Sequence, residues 1–208
     1  MKRVLLVLTC VCVSAVVAAE KGDVALGLDG GWWTPQGALA DSHGGLWCID
    51  AAVAYRVLDE IEIYGKGFYG ECEFVEDFWE SGVPDFEPRG RLLAVGFGAR
   101  YGFPLDDFFP YLRAGATYGV WLSHQPVPEV GWYPAQSESL GIDVGLGLEY
   151  FFVETVSLRL DVGYGYYFNL EVPEGVWQES EYGDYWMLEF DEEGAGALAI
   201  GLGAAWYL

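Results

Sequence analysis

The sequence predicts an all-β protein, an eight-stranded antiparallel up-and-down β-barrel that crosses a membrane. Three observations carry that expectation. Apolar residues recur with period two in eight separate segments. The opposite face of those segments is dominated by glycine, with isolated Asp, Glu, Lys and Arg. The connections between segments alternate between short and long. A strand sends successive side chains to opposite faces, so each segment has one apolar and one small or charged face. A narrow, packed barrel interior calls for the second face when the first meets lipid.

The clearest segments are the sixth and seventh, Gly141 to Phe152 and Val156 to Phe168. In the sixth, Ile142, Val144, Leu146, Leu148, Tyr150 and Phe152 share one parity, against Gly141, Asp143, Gly145, Gly147 and Glu149. In the seventh, Val156, Leu158, Leu160, Val162, Tyr164, Tyr166 and Phe168 alternate with Ser157, Arg159, Asp161, Gly163 and Gly165. The others are Val24 to Trp33, Leu46 to Val57, Ile61 to Phe74, Arg91 to Phe103, Tyr111 to Leu122 and Ala197 to Leu208. The third, Ile61 to Phe74, alternates least regularly. Most reach the ~9–11 residues that cross a bilayer at barrel tilt.

Tight connections are expected at Leu58-Asp59-Glu60, Pro104 to Phe108, and Val153-Glu154-Thr155. Long loops are expected at Pro35 to Gly45, Val75 to Gly90, His124 to Glu138 and Glu171 to Gly194. Aromatic residues gather at both ends of the segments, as two interfacial girdles require.

The N-terminus reads as a secretory signal. Lys2 and Arg3 precede an apolar run, Val4 to Val17, and Val17-Ala18-Ala19 supplies small residues before Glu20. The run is shorter than the ~20 residues a spanning helix needs. The expectation is a signal over residues 1–19 and a barrel domain over residues 20–208. The chain is 52% hydrophobic and 17% aromatic, which a membrane barrel accommodates by turning those residues to lipid. Its formal net charge of −22 argues against nucleic acid as a partner, because neutralising phosphates takes clustered Lys and Arg.

Parity assigns eleven charged residues to the lumen: Asp29, Asp50, Arg56, Glu62, Lys66, Arg100, Arg113, Asp143, Glu149, Arg159 and Asp161. Beyond the signal, the other basic residues are Lys21, Arg89 and Arg91, so most positive charge is expected inside. A lone charge in a narrow interior is costly unless paired and hydrogen-bonded. The expectation is a charge network that plugs the lumen; a gated polar path for ions is the alternative.

Cys48 and Cys72 share inward parity on the second and third segments. A turn centred on Glu60 would set Arg56 opposite Tyr64, Ala52 opposite Phe68 and Cys48 opposite Cys72. A Cys48–Cys72 disulfide is therefore expected, in an oxidising compartment.

The architecture resembles the small eight-stranded outer-membrane barrels of the OmpA/OmpX type, over everything after the signal. That resemblance implies the outer membrane of a diderm bacterium, with periplasmic termini and extracellular long loops. It implies outer-membrane lipid, lipopolysaccharide and the barrel-insertion machinery as partners, and a monomer. OmpA-like proteins often continue into a peptidoglycan-binding domain, and the expectation here departs from them in having none. The implied role is structural or surface-interacting, with a small porin-like channel as first alternative. Some barrels of this class modify lipid A, and deacylases among them carry a His-x-Ser pair on a lipid-facing strand. Here the histidines are His43 and His124, and His124 is followed by Gln125 and Pro126. No catalytic residue, cofactor or dedicated metal site is expected. The acidic long loops, with Glu76, Asp77, Glu80, Asp85 and Glu87 in one, leave divalent cations as candidate partners, since hard cations take carboxylate oxygens.

Overall fold

The computed structural model describes residues 23–37, 40, 43–74, 89–127, 131–178 and 185–208. The signal expected over residues 1–19 and the acidic residues of the Val75–Gly90 loop lie outside the described residues. Eight strands follow in order: β1 (Val24–Gln36), β2 (His43–Leu58), β3 (Ile61–Phe74), β4 (Arg89–Gly102), β5 (Phe108–Val127), β6 (Gly131–Val153), β7 (Val156–Gln178) and β8 (Tyr185–Tyr207). Each pairs antiparallel with its neighbour in the chain, and β8 returns to β1, closing the barrel. Each expected segment corresponds to one strand.

Parity sorts the two faces as the sequence requires. Outward residues are exposed: Leu146 is 59% accessible and Phe97 is 71%. Inward residues are not: Glu62 is 1% accessible and Arg100 is 5%. On β6 the outward series from Leu140 to Phe152 is uncharged. At ~3.3 Å per residue and roughly 40° tilt it covers about 30 Å of wall, close to the height of a lipid-facing band. Outward aromatics bracket that band. Tyr101–Phe103, Phe108–Tyr150 and Tyr150–Phe152 pair at the short-turn end, with centroids 5.1, 4.9 and 4.9 Å apart. Trp47–Tyr69 and Tyr166–Phe168 pair at the other end, at 5.6 and 5.1 Å.

The irregularity of β3 has a steric origin. Its outward positions include Gly65 and Gly67, while Tyr64, Lys66 and Phe68 point inward. Large side chains stand on the lumen side here, so hydropathy alone blurs the alternation.

Three short turns close one end. Asp59-Glu60 joins β2 to β3 and Glu154-Thr155 joins β6 to β7. Between β4 and β5, the Leu105 and Phe108 backbones bond each other reciprocally around Asp106-Asp107. Asp106 takes φ 50°, a left-handed conformation that Asp tolerates better than most residues.

Two of the expected long loops are mostly strand. β5 and β6 stay paired to Val127↔Gly131, and β7 and β8 to Gln178↔Tyr185. The β6–β7 ladder ends at Leu140↔Phe168 and the β1–β8 ladder at Gln36↔Gly196. Beyond the rim the sheet therefore splits into two-stranded ribbons. In these stretches proline, glycine and acidic residues interrupt the apolar series, at Pro126 and Pro134, at Pro173, Glu174 and Gly175, and from Asp191 to Glu193, so the long lipid-facing alternation that marks strands within the membrane is broken in them.

Candidate functional site in the barrel lumen

The lumen is built in layers. At the short-turn end Arg56 lies among three aromatic rings. Its guanidinium carbon stands 4.9 Å from the Tyr207 ring centroid, 5.2 Å from Phe109 and 5.8 Å from Phe151. Its ion pair with Asp23, at 3.8 Å, reaches out to the rim. A cation over aromatic faces gains from the ring quadrupole while the rings exclude water.

The next layer is charged. Arg100 donates to Glu62 at 2.6 Å from the directly opposite position on β4. The Arg100 guanidinium also lies 5.1 Å from the Tyr64 and Tyr111 rings. Tyr207 donates to Glu149 at 2.9 Å and approaches Glu62 at 3.4 Å. Ser157 donates to Glu149 as well. One residue of the last strand thus ties together carboxylates from β3 and β6.

Glycine determines how the middle layer pairs. Arg159 on β7, Gly203 on β8 and Asp29 on β1 share a register row. Arg159 reaches across Gly203 and donates to Asp29 at 2.9 Å. A Cβ on Gly203 would collide with the Asp29 carboxylate, and one on Gly27 with the Arg159 guanidinium. The pattern repeats from β5. Arg113 crosses Gly145 to reach Asp161 at 2.8 Å, and also bonds Asp143 on β6. Tyr111 crosses Gly147 and donates to the same Asp161. Lys66 on β3 reaches Asp143 at 3.3 Å through the lumen. The glycine-rich inward face is therefore a floor on which long polar side chains lie to meet partners two strands away.

Asp50 stands directly opposite Asp29. Both line a cavity of about 60 Å³ with Lys66, Asp161, Trp33 and Phe68. A smaller cavity of about 20 Å³ adjoins Lys66, Asp143 and Thr117.

Above the cavity the lumen turns apolar. Leu46, Phe68, Leu92, Ala94, Trp121, Tyr167 and Ala195 form one buried cluster with Trp33 packed on it. Trp33 lies 4.6 Å from Phe68 and 6.0 Å from Tyr167 between ring centroids. Charge parity did not reveal this layer, although the inward positions of Trp33, Phe68, Leu92 and Tyr167 could have done so.

All eleven charged residues assigned inward by parity stand on the lumen side, none of them exposed. Arg100 is joined to Glu62, Arg113 and Lys66 to Asp143, Arg113 to Asp161, and Arg159 to Asp29. Arg56 reaches the rim Asp23 instead, and Glu149 is held by hydroxyl groups.

The disulfide expectation is corrected. Cys48 is a buried free thiol. The β2–β3 ladder places Cys48 opposite Gly70 and Cys72 opposite Leu46. The turn pairs Leu58 with Ile61, and a bulge between Arg56 and Leu58 then sets Arg56 opposite Glu62. Both cysteine positions keep inward parity but become diagonal neighbours. Diagonal Cα atoms lie ~7–8 Å apart, at or beyond the ~7 Å a disulfide spans. His43 begins β2 opposite Phe74, and His124 lies in β5 opposite Pro134. Among the described residues no group of three or more His, Cys, Asp or Glu is placed to hold a metal ion.

A closed eight-stranded barrel with an aliphatic outer belt, aromatic girdles and a filled polar interior defines a small outer-membrane β-barrel. Residues 4–186 match the outer membrane protein beta-barrel domain, and the chain belongs to that family. No curated protein matches it. Among solved structures it is similar to a major outer membrane protein of Thermus thermophilus, with TM-score 0.63 and 16% identity over 91% of this chain and 100% of that one. Neisserial surface protein A gives TM-score 0.56 and 16% identity, over 88% and 98%. Ail, the attachment invasion locus protein of Yersinia pestis, gives 0.53 and 13%, over 90% and 99%. At these identities the likeness is one of fold.

Proposed function

We propose that this protein is a non-conducting surface barrel of a diderm outer membrane, whose working parts are the ribbons and connections at the long end. The short turns and both termini face the periplasm in this reading, and the ribbons project from the cell. One observation supports it: two chemically different layers of side chains pack across the lumen, Arg56 with Phe109, Phe151 and Tyr207 at one end, and the Trp33–Phe68–Tyr167 cluster at the other. An eight-stranded barrel is only just wide enough for its own side chains.

The partners that follow are outer-leaflet lipid and lipopolysaccharide along the belt, and the insertion machinery during assembly. The protein acts as a monomer, and no catalytic role is assigned. Planar-bilayer recording tests the reading. Purified protein is expected to give no steady conductance, and reproducible single-channel steps would overturn it.

A gated polar path is the second reading, favoured by the charged cavity between the two layers. In that case removing Arg56 and Trp33 together would open a steady pore. Lipid A of unchanged mass in cells with and without the protein is expected, and a lost or added acyl chain would replace both readings with an enzyme.

A further inference from the structure

Asp50 stands apart from the other lumen charges. Of the eleven inward charges, six are carboxylates and five are cations. Glu62, Asp143, Asp161 and Asp29 each meet a guanidinium or ammonium group. Glu149 takes two hydroxyl donors instead. Asp50 has neither an ion pair nor a hydroxyl donor among the described residues.

What faces Asp50 is another carboxyl group. Asp29 lies directly opposite on β1, and the two side chains are within hydrogen-bonding reach of each other. Directly opposite Cβ atoms lie about 4.5–5.5 Å apart, too close for two carboxylates in a closed cavity to ionise together without a large penalty. The cavity of about 60 Å³ beside them has room for a few waters, not for the hydration that two adjacent carboxylates require. The cations around the pair are already committed. Arg159 of β7 holds Asp29 at 2.9 Å, and Lys66 of β3 reaches Asp143 at 3.3 Å. Arg100 of β4 is taken by Glu62, and Arg113 of β5 by Asp143 and Asp161. Tyr64 and the free thiol of Cys48 complete the ionisable lining.

A single proton resolves this arrangement. It gives Asp50 a donor, and it gives Asp29 a second hydrogen bond beside the one from Arg159. It also leaves five inward carboxylates against five inward cations. We propose that Asp50 is a carboxylic acid that donates to the Asp29 carboxylate, which makes the β1–β2 contact a latch that alkali releases. Loss of the proton sets two like charges opposite each other in the wall, and such pairs destabilise a ladder. The inference rests on the closed-lumen reading, since in an open aqueous pore both groups are solvated and ionise.

The test uses the full-length protein in lipid nanodiscs and reads the infrared carbonyl stretch of protonated carboxyl groups. At neutral pH the difference between wild type and Asp50→Asn is expected to contain one such band, which disappears as the pH is raised. Asn keeps the shape and donates to Asp29, so the variant mimics the protonated state at every pH. Urea unfolding gives a second readout. While the folded protein holds a proton that the unfolded chain has released, unfolding gives that proton up, so rising pH favours it. The wild-type unfolding constant is therefore expected to climb relative to Asp50→Asn by about tenfold per pH unit, and to level off once the folded pair has lost its proton. A difference spectrum without the band at neutral pH, or a ratio of unfolding constants that ignores pH, overturns the proposal. So does a gain in wild-type stability when sodium replaces a bulky organic cation, if Asp50→Asn abolishes that gain, because a metal ion then joins the two carboxylates. A silent bilayer with no band defeats this inference alone, whereas steady conductance defeats the closed-lumen reading whatever the spectrum holds.

Discussion

The two ends of the lumen are packed with different chemistry. At the short-turn end the packing is polar: Arg56 among three rings, then Arg100 on Glu62, with Tyr207 and Ser157 on Glu149. At the long end it is apolar: Trp33, Phe68, Leu92 and Tyr167 pack with little polar chemistry. The polar layer depends on partners, because a buried charge without one is expensive. The apolar layer depends on volume, because close packing leaves no slack for lost methylenes. Deleting one group at each end should therefore fail in different ways.

The largest effect is expected at the polar end. Arg100→Leu strands Glu62, which is 1% accessible. Breaking a buried pair from one side typically costs about 3–5 kcal/mol. The double variant Glu62→Gln, Arg100→Leu should recover much of that loss. Reversible urea unfolding in detergent or vesicles measures both, and equal stabilities of single and double variants would show that the two residues are not coupled.

At the apolar end Leu92→Ala should cost about 2–5 kcal/mol through lost transfer energy and a residual cavity. Leu92 is fully buried, and it has no charge to strand. Leu92→Met should restore most of the loss, a rescue by volume that the Arg100 site would not show. If methionine fails to rescue, the long-end layer is not held by packing.

Between the ends, Gly203→Val is expected to be felt through the ion pair that lies over it. The new side chain displaces Asp29 and separates it from Arg159. Overpacking of this kind typically costs about 1–3 kcal/mol. Combining it with Asp29→Gly should give back part of the cost, and a purely additive pair would break the view of glycine as a floor for crossing side chains.

Tyr207→Phe removes the hydroxyl that serves Glu149 and Glu62 while keeping the ring over Arg56. Leaving such acceptors short of a donor costs about 1–3 kcal/mol. The smallest effect is expected at Cys48, which lies in the apolar cluster as a free thiol. Cys48→Ala, which removes a single buried sulfur from that cluster, should cost about 1 kcal/mol or less. Thiol labelling of unreduced protein should modify Cys48 only after unfolding, and an unreactive Cys48 in the unfolded chain would restore the bridge.

Much of this architecture can be read from residues alone. The parity of Ile142 to Phe152 against Asp143 to Glu149 identifies lipid and lumen faces, because a strand turns over every residue whatever it packs against. The same rule places all eleven lumen charges. It failed where the ladder, not the strand, makes the decision. A bulge between Arg56 and Leu58 shifts the β2–β3 register by two, which keeps every face and changes every partner. That shift sets the Cys48 and Cys72 positions on a diagonal while keeping the parity of both. The ribbons of β5 to β8 read as loops because Pro126, Pro134, Pro173, Gly175 and the acidic residues interrupt their alternation, while ladders begun inside the barrel carry the strands on.

The sequence by itself determined the strand count, the two faces and the inventory of inward charge, since these follow from local stereochemistry and solvent preference. Tertiary structure decided the pairing: which carboxylate meets which cation, which glycine lies beneath the crossing, and where two ladders part company above the rim. The physical reason is that period-two alternation repeats identically at every even shift of register. Only the turn, the bulge and the closure of β8 onto β1 select one shift, and with it the neighbours each buried charge requires.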